Sequence, residues 1–142
     1  MATTISAYNN LSEIIAKTDI SGHTYKLALV DSGYTFNAAH DEWADASGDE
    51  VASGAGYTTG GETLANVTCV ETGGTTTLDA DNVVWTALTK TFRGAIIYAS
   101  GTVMALTNPV LAYVLFDDTP ADSSVAGVDF TVGWSASGVL YV

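Results

Sequence analysis

The side chains able to do chemistry are few and far apart. Cys69 is the single cysteine, and His23 and His40 are the only histidines. A thiolate nucleophile would need one of these imidazoles beside it in space, and neither is near in sequence. In NVTCVE the cysteine alternates with polar neighbours and reads as a small buried hydrophobe. Asp79, Asp81 and Asn82 offer closely spaced oxygen ligands of the kind calcium takes. The twelve-residue loop pattern and its later bidentate glutamate are missing, so a turn whose Asp side chains bond their own backbone is the better reading. Asp41 with Glu42, and Asp117 with Asp118, read as solvated loop charges rather than acid–base pairs. No CxxC or HExxH occurs, and Gly54, Gly56, Gly60 and Gly61 are not followed by the GK[ST] of a phosphate loop. Arg93 suits a fixed salt bridge better than catalysis. The reading is of no enzyme, with no catalytic, cofactor-binding or metal residues.

Trp43, Trp85 and Trp134 and the seven tyrosines are the remaining candidates, as a carbohydrate-binding surface. Trp85 and Trp134 fall on alternating strand faces, which favours core packing.

The elements that would carry these residues are strands. In NVVWTALTKTFRGAIIY, from Asn82 to Tyr98, two strands are joined by a polar turn. Val83, Trp85, Ala87 and Thr89 share one face of the first strand, and Val84, Thr86, Leu88 and Lys90 the other. The second, Ala95 to Tyr98, is apolar throughout and predicts a strand covered on both sides. Thr24 to Val30 and the most apolar run, Val110 to Phe116, read as core strands. Leu64 to Glu71 and Thr75 to Leu78 flank Thr72-Gly73-Gly74 as a hairpin. Val128, Phe130, Val132 and Trp134 alternate cleanly and predict a last hairpin with Val139 to Val142. Leu11, Ile14 and Ile15 have the spacing of one helical face, and Asn37 is placed to cap a second short helix carrying Asp41 and Glu42. Three stretches read as loops or turns: Glu50 to Thr63, Ala99 to Pro109 and Asp117 to Gly127.

With 142 residues, abundant Thr and Gly and two prolines, the chain predicts one all-β domain. Its expected architecture is an antiparallel sandwich or flattened barrel of about eight strands with one short helix. Residues 1–20 read as an N-terminal arm or short helix, and 21–142 as a single β-rich domain. Sixteen acidic residues against four Lys and Arg give a net charge of −12, which argues against nucleic-acid binding and keeps an apolar chain in solution. One cysteine excludes a disulfide framework, and neither a signal peptide nor a membrane-crossing run is evident, which predicts synthesis in the cytoplasm.

The order GYTTGGETLAN, LDADNVVW, FRGAIIY, LAYVLFD and DFTVGWSASGVLYV resembles a family of small virion proteins of tailed bacteriophages. The likeness runs from about Leu27 to the end. It implies a capsid decoration, or cement, protein on the exterior of the virion, binding the outer head lattice through the major capsid protein as a homotrimer. It brings no catalytic residues or cofactors, and it makes Ala2 to Asn10 a candidate arm reaching the capsid or a neighbour. The alternatives are a tail or head-to-tail connector component, or a receptor- or carbohydrate-binding tip.

Overall fold

Runs of β-branched and aromatic residues form the strands. The computed structural model describes residues 3–117, 119, 121–135 and 138–141. Among these residues the strands are β1 (Thr4–Ala7), β2 (Thr24–Val30), β3 (Glu62–Thr63), β4 (Thr68–Thr72), β5 (Thr75–Asp79), β6 (Val83–Phe92), β7 (Gly94–Ser100), β8 (Thr102–Val103), β9 (Leu106–Thr107), β10 (Val110–Leu115), β11 (Ser123–Val132) and β12 (Leu140–Tyr141). One α-helix, α1 (Asn10–Lys17), accompanies them. The pairings between these strands are antiparallel. The fold is therefore the all-β sandwich that the sequence predicts, and it does not close into a barrel. No helix among the described residues is long and apolar enough to cross a membrane.

The main layer is a five-stranded sheet in the order β1-β10-β7-β2-β3. Its middle strands are apolar, apart from Thr24 and Lys26 of β2 and Ser100 of β7, because both faces are covered. On the inner face Leu27, Leu29, Ala95, Ile97 and Val114 pack against Trp85, Leu88 and Phe92 of β6, with Leu11 and Ile14 of α1 in the same core. A two-stranded ribbon, β11-β6, forms this second layer. On the outer face Ala28, Val30, Ile96 and Tyr98 meet Tyr8, Tyr34 and Trp43. Burying each of these large side chains contributes about 1.5–3 kcal/mol. A three-stranded sheet, β12-β5-β4, and the small hairpin of β8 and β9 complete the fold.

The stretch from Asn82 to Tyr98 does hold two strands, but they belong to different layers. β6 pairs with β11, β7 pairs with β10 and β2, and Arg93 alone lies between their ends. The expected face pattern also slips. Ala87 takes a left-handed backbone (φ 50°), so burial runs Val83, Trp85, then Leu88 and Phe92, and Leu88 points inward. The β11 side shifts register at the same place, between Val125 and Phe130.

Other expectations need correction. Asn37 caps no helix. Its side chain accepts a hydrogen bond from the Ala39 amide (3.0 Å), and the Trp43 amide donates to Asn108 O (2.8 Å), so only short 3₁₀ turns at Trp43–Asp45 and Ser47–Asp49 form. Ala99 to Pro109 contains β8 and β9, turned by Met104 and Ala105, both with positive φ. The acidic turn after Asp117 is shorter than expected, because β11 starts at Ser123. Among the described residues the expected last hairpin is replaced by other pairings: β11 pairs with β6 and β12 with β5, with the antiparallel Ser135↔Gly138 bridge between them. Period-two patterning gave the strands there but not their partners.

The leader is part of the domain. β1 pairs with β10 from Thr4↔Leu115 to Ala7↔Ala112, and the next residue, Tyr8, is 2% exposed. Apart from Met1 and Ala2, which lie outside the described residues, the expected arm is an edge strand followed by the start of α1. The Gly-rich stretch from Glu50 to Thr63 is likewise a packed strap. Gly61 (φ 78°) lies so close to Leu27 O and the Ala28 backbone that a Cβ would collide, and at Gly56 (φ 89°) a Cβ would come within 2.7 Å of Thr86 O.

Candidate functional site

The layers are unequal, five strands against two, and the inner face of the larger sheet is incompletely covered beside β11. There the molecule has an open cleft of about 510 Å³. β1 brings Ile5 to it, β10 brings Val114, and Phe116 follows directly; β11 supplies Phe130 and Val132, and Trp134 stands just beyond. Thr3, Ser123, Thr131, Gly133, Ser135 and Gly138 make up the rest of the described lining, and none of the described lining residues carries an ionisable side chain.

The aromatic wall is tied to the core. Phe130 stacks on Trp85 (6.0 Å between centroids) and meets Phe92 (4.9 Å), and Phe116 packs edge-on against both Phe92 (5.5 Å) and Phe130 (5.6 Å). Trp134 is held by the turn before β6: its indole N–H donates to Asp81 O (3.0 Å), and its amide donates to Asn82 Oδ1 (3.3 Å). Ile5 remains 48% exposed, unusual for an isoleucine facing a core.

The remaining candidates have structural partners. Asp79 Oδ1 accepts from the Ala80 amide (2.9 Å), the local backbone bond that the spacing predicts, whereas Asp81 Oδ2 accepts instead from the side chain of Asn66, at Nδ2 (2.6 Å). No group of three or more His, Cys, Asp or Glu among the described residues is placed to hold a metal ion. His23 Nε2 pairs with Thr18 Oγ1 (2.8 Å) and His40 Nδ1 with Tyr34 OH (3.0 Å), and neither hydrogen-bonds to the half-buried Cys69. Arg93 Nε donates to Asp122 Oδ1 (3.0 Å), the salt bridge anticipated for it. Asp41 is exposed and Glu42 half-buried; Glu42 Oε1 accepts from the Thr107 amide (2.7 Å). Asp117 takes both the hydroxyl and the amide of Thr119, which hold its carboxyl below the usual range. Asp118 lies outside the described residues. Trp85 and Trp43 are core residues, Trp43 lying flat on Tyr98 at 5.0 Å.

Two hydrogen-bonded clusters had no signal in the sequence, because the bonds that tie them to the sheet, Tyr8 to Tyr34, Leu29 to Tyr57 and Gly60 to Tyr98, join residues far apart along it. On the outer face Tyr8 OH and Tyr34 OH lie 2.6 Å apart, with His40 on the far side of Tyr34. Burial pushes the Tyr8 and Tyr34 phenols up. Under the strap, Tyr57 OH accepts from the Leu29 amide (3.0 Å) and donates to Glu50 Oε1 (2.7 Å), which also takes the Gly60 amide (2.6 Å). Tyr98 OH donates to Gly60 O (2.6 Å), and burial pushes its pKa up to about 12. Both clusters hold loops onto the five-stranded sheet. Compared with protein-family models, curated proteins and solved structures, the chain matches none of them.

Proposed function

We propose that this protein is a structural component of a tailed-phage virion, a capsid decoration or cement protein without enzymatic activity. On this reading it binds the outer head lattice through the major capsid protein, as a homotrimer, and is made in the host cytoplasm. The order of sequence motifs from Leu27 onward suggests the family. The observation that carries the role is the cleft beside β11, an apolar and uncharged surface at the open side of a well-packed sandwich. Such a surface suits attachment of another chain, whereas turnover of a substrate calls for titratable groups in the cleft. The middle strands of the five-stranded sheet, β2, β7 and β10, are packed on both faces, which suits a protein that must resist unfolding on a particle.

The test is the copy number of this chain relative to the major capsid protein in purified particles, by quantitative mass spectrometry. A ratio near one, or a simple lattice fraction of it, is the expected result. Absence from the particle would overturn the proposal. A second reading, a tail or connector component or a sugar-binding tip, draws on Trp134, a half-buried indole set among hydroxyls in the cleft. It calls for a far smaller ratio and, for a tip, binding to host glycans.

A further inference from the structure

Neighbouring strands of a sheet lie about 4.8 Å apart and packed layers about 10 Å. A third strand added to the ribbon beyond β11 would therefore lie over the inner face of β10 and β1, where the cleft opens. Among the described residues β11 pairs only with β6 and β1 only with β10, so each has one edge with no strand beside it. β11 is ten residues long, and although its register with β6 shifts between Val125 and Phe130, the cleft residues Ser123, Phe130, Thr131 and Val132 lie in the regularly paired runs on either side. Alternate side chains of an added strand would enter the cleft between Ile5, Phe116, Phe130 and Trp134.

We propose that the cleft is a strand-docking site, and that its occupant is an extended, basic segment of another protein that pairs with the open edge of β11. Charge selects this occupant over a second copy. Each chain carries −12, and two of its four cations, Lys17 and Arg93, already pair with Glu13 and Asp122. Asp117 stands next in sequence to the cleft residue Phe116, whereas Asp122, next to Ser123, is already paired with Arg93. At low salt electrostatics therefore disfavour a second copy at this edge, whatever surface a homotrimer uses, and favour a segment with Lys or Arg beside its apolar residues. Main-chain hydrogen bonds to β11 would supply affinity, and the cleft would select the side chains. The inference deepens the attachment reading above and depends on it only for the identity of the partner.

The test uses the whole protein and a synthetic probe, a peptide of alternating valine and threonine with two lysines at each end. A matching peptide with glutamates at its ends is the control. Amide hydrogen exchange across residues 123–132 and tryptophan emission, with Trp134→Phe to identify the contribution of Trp134, are the readouts. The expected result is slowed exchange in β11 and a shifted emission with the lysine peptide. The glutamate peptide is expected to bind at least about tenfold more weakly at low salt, the gap narrowing as salt rises. Ile5→Lys should weaken binding of the lysine peptide about tenfold or more, whereas Val70→Lys, at an exposed position on β4 outside the cleft, should not. If I5K fails to fold, Ile5→Thr keeps a β-branched residue in the strand and serves as the same test. No response to the lysine peptide, equal binding of both peptides, or insensitivity to the change at Ile5 overturns the proposal. So does a dimer of the chain alone, by sedimentation, in which β11 is already protected. Copy number in particles is independent of these outcomes, so the virion reading and the strand-docking reading can fail separately.

Discussion

Replacing Tyr8 by alanine tests whether the N-terminal segment is an integral part of the domain. Tyr8 follows directly on β1, is 2% exposed, packs 5.0 Å from Phe36 and places its hydroxyl 2.6 Å from that of Tyr34. Truncating a buried aromatic side chain costs about 3–5 kcal/mol. For 142 residues, at about 2.1 cal/mol/K each, the unfolding entropy near the midpoint is ~0.3 kcal/mol/K. Tyr8→Ala should therefore lower Tm by about 10–17 °C. Tyr8→Phe keeps the ring and removes one buried hydrogen bond, about 1 kcal/mol or ~3 °C. Thermal unfolding followed by circular dichroism, with wild type and both variants at one protein concentration, gives the three midpoints. If Tyr8→Ala unfolds within about 2 °C of wild type, the segment is not docked, and its assignment to the outer core is wrong.

Gly61→Ala should destabilise by more than about 1 kcal/mol, since it combines a left-handed backbone with a clash against Leu27 O; an unchanged urea midpoint would refute the packed strap. Glu50→Ala should speed amide exchange at Gly60 while leaving β7 protected, because one carboxylate oxygen holds both Tyr57 and Gly60; equal protection at Gly60 would contradict this. Asp122→Asn, which removes a partly exposed ion pair with Arg93, should cost no more than about 1 kcal/mol, and a larger loss by urea denaturation would show that the pair does more. Stability should fall as pH rises from about 10 towards 12. Burial raises the phenol pKa of Tyr8, Tyr25, Tyr57 and Tyr98, the last to about 12, so in this window the unfolded chain releases protons that the folded chain retains. Phenolate absorbance that appears well before unfolding, at the ordinary tyrosine pKa, would refute it.

Local pattern carried much of the fold. β2, β7 and β10 are runs of apolar residues whose length and composition mark them as strands covered on both faces, and that is how they sit. The hairpin of β4 and β5 was legible because Gly73 and Gly74, both with positive φ, announce its turn. Pairing between distant strands was not legible. β6 and β11 meet across Phe130↔Trp85, and nothing in either strand alone names the other. The slip at Ala87 was hidden for a similar reason: the Asp129 carboxylate that accepts the Ala87 amide at 2.9 Å comes from the partner strand. In the cleft, Trp134 and Phe130 stood out as strand aromatics, but Ile5 looked like part of a polar leader. Its role depends on β10, more than a hundred residues away, and only the paired sheet shows it.

The wiring of the five-stranded sheet bears on how the chain reaches its native state. β1 closes on β10, β2 waits for β7, and β6 of the second layer waits for β11, so neither layer can close until nearly the whole polypeptide is present. Contacts so distant along the chain make for slow folding, because the entropy of closing each long loop is lost before any contact repays it. On the ribosome, β2 would emerge as a largely apolar strand and lack its main neighbour until β7 is made. During that interval the abundant carboxylates, by mutual repulsion between nascent chains, would be what keeps those strands from pairing with one another.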